Sequence, residues 1–298
     1  MINMIKLFAM RIVFMGTPDF AKNILAGLVD AGCDVVAVYT RADAVRGRGK
    51  NLVASPVKEY AISQNIPVET SENFNSEATI TTLKQYKPDF IVVAAYGLIL
   101  PKAVLGIPTH ECLNVHGSLL PKWRGAAPVQ RAILSGDKEI GYSIMKIGEG
   151  LDDGDYCYQN KIENTGQSTA EVFDWMATDS VSALLNCMQS ISDGIAQWTV
   201  QDNALATEAV KLQKRELWFS EGDSDEVWFR KILASTPETP AKCKIAGRVV
   251  SVLHATYDDG NLKITAIKPD GKNEMDWKSF VAGIQDKSEV NLKWRPVE

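Results

Sequence analysis

Apolar residues along the chain fall alternately into short continuous runs and into helical spacings. Arg11-Ile12-Val13-Phe14-Met15 is a compact run closed by Gly16-Thr17-Pro18, the pattern of a buried strand entering a turn. From Phe20 to Ala31, residues Ile24, Leu25, Leu28 and Val29 recur at helical spacing, and Gly32 supplies a stop. Asp34 to Thr40 (D-V-V-A-V-Y-T) reads as a second strand, and a helix is predicted after Ser55-Pro56. Pro88 to Tyr96 reads as a third strand, and Glu111–His116 and Tyr142–Ile147 as two more. A long helical segment from Ser168 to about Ile195 closes this part. The strand, helix, strand rhythm predicts an α/β fold with a mostly parallel sheet covered on both faces. Such sheets place ligands at the carboxyl ends of their strands, so the loops there are the places to look for chemistry.

Beyond Trp198 the pattern changes. Residues 199–214 are polar without clear periodicity and are expected to form a linker. From Lys244 onward, Ala246–Leu253 and Asn261–Ile267 look like short strands around an Asp258-Asp259-Gly260-Asn261 turn, so the tail is expected to be a small, mostly β domain. The expected organisation is an N-terminal extension (1–9, because Met10-Arg11-Ile12-Val13-Phe14 resembles a protein start), an α/β domain (10–198), the linker (199–214) and a C-terminal β domain (215–298). The length of 298 residues suits two domains.

Composition narrows this picture. Hydrophobic residues at 45% and charged residues at 23% exclude a disordered or fibrous chain. Five cysteines, none in a C-x-x-C pair, suit a reducing, cytoplasmic setting. No apolar stretch reaches the ~18–20 residues of a spanning helix, so no membrane is expected as a partner. The net charge of −5 argues against a bulk nucleic-acid binder, but the charge is unevenly spread. Residues 147–238 carry 6 basic against 17 acidic groups, whereas residues 41–58 hold Arg41, Arg46, Arg48, Lys50 and Lys58 against Asp43 alone. A loop of this kind is a solvated basic surface or a phosphate-binding one, and composition does not choose between them.

Three places carry candidate chemistry. Gly16-Thr17-Pro18-Asp19 is not G-x-G-x-x-G, and Pro18 has no N–H for a phosphate, which argues against a dinucleotide cofactor. In Asn114-Val115-His116, the amide and the imidazole lie two apart on a strand and point to one face. Both would reach a polarised carbonyl oxygen, although a strand-end His is also a common structural residue. Asp152, Asp153 and Asp155 cluster in Gly150-Leu151-Asp152-Asp153-Gly154-Asp155. That cluster suits a solvated acidic turn, a hard cation, or a carboxylate that orients a neighbouring His.

Taken in order, these segments resemble the methionyl-tRNA formyltransferase family over residues 10 to about 200. The likeness is carried by Phe14-Met15-Gly16-Thr17-Pro18-Asp19-Phe20, Arg46-Gly47-Arg48-Gly49-Lys50, Ser55-Pro56-Val57-Lys58, Ala95-Tyr96-Gly97-Leu98-Ile99-Leu100-Pro101, the Asn114 to Arg131 run, and Gly150 to Asp155. The resemblance implies a Rossmann-like catalytic domain (10–198) followed by an OB-like, tRNA-binding β-barrel (215–298). The barrel is expected to be shortened here, because the tail from 211 to 298 is brief for the family. It implies Asn114, His116 and Asp152 as the catalytic trio. The substrate amine is the nucleophile, 10-formyltetrahydrofolate is the formyl donor, and no metal is needed. The folate side is implied for Leu98, Ile99, Leu100 and Pro101, and for Ser118, Leu119, Leu120 and Pro121. Contacts with an initiator Met-tRNA are implied for Arg41, Arg46, Arg48, Lys50, Lys122 and Arg124. The enzyme is expected to act as a monomer.

Three other readings share part of this pattern. An amino-sugar-nucleotide formyltransferase and a formyltetrahydrofolate hydrolase would keep the trio without the Arg46 to Lys50 loop. A non-catalytic RNA-binding protein would tolerate loss of the trio, which here is intact.

Overall fold

The computed structural model describes residues 10–46, 51–70, 73–74, 76–220 and 222–284. The expected extension 1–9 and the predicted contacts Arg48 and Lys50 lie outside the described residues, as does the side chain of Arg46. The chain order is β1 (Arg11–Gly16), α1 (Asp19–Asp30), β2 (Asp34–Thr40), β3 (Ala44–Arg46), β4 (Asn51–Val53), α2 (Pro56–Ser63), β5 (Val68–Thr70), α3 (Glu77–Gln85), β6 (Phe90–Ala94), α4 (Lys102–Leu105) and β7 (Glu111–His116). Then come β8 (Arg124–Gly125), α5 (Pro128–Ser135), β9 (Glu139–Lys146), β10 (Tyr156–Glu163), α6 (Thr169–Ser192) and β11 (Glu208–Ala209). The tail holds α7 (Asp225–Leu233), β12 (Ala241–Ile245), β13 (Arg248–Asp258), β14 (Asn261–Pro269), β15 (Met275–Asp276) and α8 (Trp277–Ala282). Two compact units arise, and they interleave in sequence. One comprises Met1–Ala126, Gly141–Ile162 and Phe173–Glu208; the other comprises Ala127–Ile140, Glu163–Val172 and Ala209–Glu298.

The first unit is built on a seven-stranded sheet of order β10-β9-β7-β6-β1-β2-β5. β1 pairs in parallel with β2 and β6, β2 with β5, and β6 with β7. The chain runs outward from β1 to β2 and β5, then crosses back to β6 and β7, so the order reverses between β1 and β6. The sheet is mostly parallel, as expected, with antiparallel pairing where β9 joins it. β9 joins β7 antiparallel, with Asn114 opposite Met145 and His116 opposite Ser143. β10, Y-C-Y-Q-N-K-I-E, follows at the rim, where half-buried polar positions replace the apolar run of an interior strand.

Both faces of β1 are buried, which is why its sequence shows no polar alternation. Val13 and Met15 pack with Ala37, Tyr39, Ile91, Val93 and Phe74. α1 packs against α6: Phe20 meets Phe173 with ring centroids 5.1 Å apart, and at Gly27 an added Cβ would lie 2.4 Å from Val181. At Gly16 an added Cβ would lie 2.5 Å from Ala21 Cβ and 2.8 Å from the Ala94 carbonyl oxygen, so only glycine lets β1 turn this tightly into α1. Leu28 of α1 is fully buried. Leu28→Ala is therefore expected to cost about 2–5 kcal/mol of unfolding free energy, read from urea denaturation with an unchanged m-value.

In the second unit, β12, β13, β14 and β15 form an antiparallel meander. The predicted turn is a two-residue hairpin with Asp259 at φ +50° and Gly260 at φ +78°, both positive as a type I′ turn requires. Trp228 and Ile232 of α7 join Phe219, Val250, Val252, Ile264 and Ile267 in one core, with Phe219 and Trp228 stacked at 5.1 Å. Asp225 accepts the Leu262 N–H at 2.8 Å and ties the first turn of α7 to β14. Lys231 is buried but compensated: its ammonium meets Asp223 at 2.6 Å and the Trp218 carbonyl oxygen at 2.7 Å.

Candidate active site

β7 ends inside the first unit with Val115 in the core and Asn114 and His116 on the opposite face of the strand. His116 is 5% exposed. Its Nε2 lies 2.9 Å from the Trp123 carbonyl oxygen. A carbonyl only accepts, so Nε2 carries a proton there and the tautomer follows. Nδ1 then faces Asp152 Oδ2 at 3.6 Å, closer than any other ion pair of the imidazole among the described residues but longer than a hydrogen bond. Asn114 is half-buried, and its amide has no hydrogen-bond partner among the described residues. One face of β7 thus offers an uncommitted amide donor beside an imidazole that has a carboxylate next to its second nitrogen.

Asp152 reaches this position through the loop that follows β9. Its backbone is left-handed at φ +47°, and its Oδ2 accepts the Gly125 N–H at 2.9 Å. The three aspartates of the loop separate. Asp153 folds its carboxylate beside Gly148 and Gly150, and Asp155 pairs with Lys146 at 2.7 Å. The Lys146 ammonium also lies 5.2 Å from the centre of the Trp198 ring. Of the three, Asp152 is the one whose carboxylate approaches the imidazole. Among the described residues no group of three or more His, Cys, Asp or Glu has the arrangement to hold a metal ion.

The residues implied for the folate side occupy two loops. Ala95 (φ +45°) and Gly97 (φ +78°) turn the chain sharply after β6. Ile99 is left 86% exposed there, while Leu100 is buried and Leu98 and Pro101 are half-buried. After β7, Ser118 and Leu120 are buried and Leu119 and Pro121 half-buried. A chain of hydrogen bonds braces this loop: Ser143 Oγ donates to the Ser118 carbonyl oxygen (2.6 Å) and accepts the Leu120 N–H (3.1 Å). Gln159 Nε2 donates to both the Leu120 carbonyl oxygen (2.9 Å) and Ser143 Oγ (2.8 Å). Leu151, beside Asp152, is 62% exposed. Exposed aliphatic side chains next to braced backbone groups are the kind of wall a flat heterocycle packs on.

Among the basic positions, Arg41 is exposed and donates to the Gly97 carbonyl oxygen at 3.0 Å, which links the loop after β2 to the loop after β6. Lys58 is drawn into a pair with Asp43 at 2.8 Å. Lys122 is exposed. Arg124 is held on two sides, by Gln201 Oε1 and by Asn203 Oδ1, each at 2.9 Å. Those two partners, together with Thr207, whose Oγ1 accepts the Trp123 N–H at 2.9 Å, fall in the stretch expected to be a linker. Nothing in their local pattern marks them, because their partners are far away in sequence.

With this geometry in hand, comparisons with known proteins are informative. Residues 10–184 match the formyl transferase family. The methionyl-tRNA formyltransferase of Marinobacter nauticus is 48% identical over 208 residues, which cover 70% of this chain and 67% of that protein. HypX from Aquifex aeolicus in complex with tetrahydrofolic acid superposes with a TM-score of 0.65 at 16% identity, over 91% of this chain and 47% of that one. This chain therefore spans about half the length of HypX. The methionyl-tRNA formyltransferase from Clostridium thermocellum superposes with a TM-score of 0.61 at 17% identity, over 88% of this chain and 99% of that one. At such identities the two structures speak to the fold alone.

Proposed function

The chain belongs to the formyl transferase family, and we propose that within it the chain formylates methionyl-tRNA of the initiator type with 10-formyltetrahydrofolate as donor. The observation that carries the reading is the approach of Asp152 to His116 beside the uncommitted Asn114 amide. The α-amine of the aminoacyl group attacks the formyl carbon, the new C–N bond forms, and the carbonyl oxygen takes up negative charge. Asn114 donates to that oxygen. His116, protonated at Nδ1 and held there by Asp152, brings positive charge to the same face. When the tetrahedral centre collapses, the bond to folate N10 breaks, the amine gives up a proton and N10 gains one. The His116 imidazolium is the group placed to give its Nδ1 proton to N10 and to take the proton of the amine in its place, with Asp152 balancing its charge.

The folate-side positions are Leu98, Ile99, Leu100 and Pro101 in one loop and Ser118, Leu119, Leu120 and Pro121 in the other. The exposure of Ile99 and the bracing of the second loop favour this. The tRNA side is the basic stretch with Arg41, Arg46, Arg48 and Lys50, joined by Lys122 and Arg124, acting through phosphates that fix the acceptor end. This stretch favours methionyl-tRNA over a sugar nucleotide as acceptor, since a single sugar nucleotide gives the four basic residues of this stretch little to neutralise. Arg48→Ala is expected to raise the KM for Met-tRNA about tenfold, ~1.4 kcal/mol, with the KM for the folate within about twofold. It should also lower the salt dependence of tRNA binding. For the second unit we read an OB-like β domain, supported by the antiparallel meander β12 to β15 packed around one core. Among the described residues no helix is long and apolar enough to cross a membrane.

The test is a formylation assay with purified protein, 10-formyltetrahydrofolate, and matched initiator and elongator Met-tRNA. Transfer to the initiator alone is expected. Transfer to a sugar-nucleotide amine instead, or release of formate with no acceptor, would overturn the reading.

A further inference from the structure

Residues 199–207 lie against two loops of the site. Thr199 pairs with Tyr156 through two backbone hydrogen bonds, its N–H to the Tyr156 oxygen at 2.8 Å and the reverse at 3.1 Å. That pairing carries the following residues alongside the loop that bears Asp152. Gln201, two residues on, is 6% exposed, and both ends of its amide are committed. Nε2 donates to the carbonyl oxygens of Asp152 (2.9 Å) and Gly154 (2.6 Å), and Oε1 accepts from Arg124 Nε (2.9 Å). A buried amide paired in this way has one orientation, because a flip would set its oxygen against two carbonyls and its NH2 against a guanidinium.

What this amide holds is the strained point of the loop. Asp152 sits at φ +47°, a conformation that a residue with a Cβ keeps only where its surroundings over-determine it. Gln201 fixes the Asp152 carbonyl and Gly125 N–H fixes its carboxylate, so the residue is gripped at backbone and side chain while Oδ2 faces His116. We propose that Gln201 is a positioning residue for the transfer reaction: it holds Asp152 in the left-handed backbone that presents the carboxylate to His116, and it ties that placement to Arg124. The inference rests on the reading of Asp152 as the partner of His116.

The test is a double-mutant cycle in the formylation assay. Gln201→Glu keeps the length and the acceptor for Arg124 but replaces the donor to both carbonyls by an oxygen. Gln201→Met keeps the length without any polar group and carries the test should the Glu variant not fold, as judged by its thermal unfolding. Each is expected to lower kcat about 10- to 100-fold, in keeping with the cost of displacing a catalytic group by about 1 Å, while the KM for the folate stays within about twofold. In an Asp152→Asn background the same substitutions are expected to add less than about twofold, because the group they position is already disabled. Unchanged kcat in both Gln201 variants, or losses that multiply fully with Asp152→Asn, would overturn the inference. Wild-type turnover in Asp152→Asn alone would instead overturn the reading of Asp152, and the inference with it.

Discussion

Asn114→Ala is expected to reduce kcat about 100- to 1000-fold, the usual cost of removing one donor to a developing oxyanion, with little change in stability. The two halves of that expectation come from one observation. The Asn114 amide has no partner among the described residues, so its loss leaves no buried group unsatisfied and the fold should notice it by only a few tenths of a kcal/mol. A side chain that contributes little to the folded state and much to turnover is doing something with substrate. His116→Ala is expected to lower kcat by a similar factor, but it also removes the shorter of the hydrogen bonds to the Trp123 carbonyl oxygen, which keeps Ser118 Oγ at 3.5 Å, and should cost about 1 kcal/mol of stability. The measurements are steady-state formylation and thermal unfolding on the same preparations. On the proposed mechanism, in which both groups act on one oxyanion, the double variant should lose far less than the product of the two single losses. Near-normal turnover in both single variants would remove β7 from the chemistry.

How much of this was legible in the sequence depends on whether a residue's partners are local. β1, β2, β6 and β7 declared themselves because strands buried on both faces need continuous apolar runs, and β7 matched its expected span, Glu111–His116. Asn114 and His116 were readable for the same reason, since two positions apart on a strand means one face. β10 was not readable, because a rim strand has no burial pattern to display. The hairpin β3–β4 escaped as well: Val45 and Leu52 face each other across it yet are 59% and 71% exposed, so their apolar character serves no core. Gln201 is the extreme case. It sits in a polar stretch without periodicity, and its partners Arg124, Asp152 and Gly154 are 77, 49 and 47 residues away. Hydrogen bonds over such separations leave no local signature, and only the fold brings them together.

Gly154→Ala is expected to be as damaging as a change in the proposed trio, although glycine has no side chain to take part in the chemistry. A Cβ on Gly154 would lie 2.0 Å from the Lys146 carbonyl oxygen and 3.0 Å from its carbon, which are backbone atoms of β9 that cannot swing aside. The loop must therefore move, and the bonds that fix its end move with it: the Lys146 N–H to the Asp155 carbonyl oxygen at 2.9 Å and the Lys146–Asp155 ion pair. Asp152, two residues earlier, is carried out of register with His116 and Gly125, and a displacement of about 1 Å at a reacting group costs on the order of 100-fold. Gly150→Ala is the control. Its Cβ would also clash, at 2.2 Å, but with the carboxylate of Asp153, an exposed side chain free to turn away. Turnover in Gly150→Ala should stay within about threefold of the parent, since turning one exposed carboxylate aside costs only a few tenths of a kcal/mol. Equal losses in the two variants would mean that the loop tolerates no side chain anywhere. A normal Gly154→Ala would mean that the placement of Asp152 does not depend on the loop's path, and the close approach to Lys146 would then have no part in presenting its carboxylate to His116.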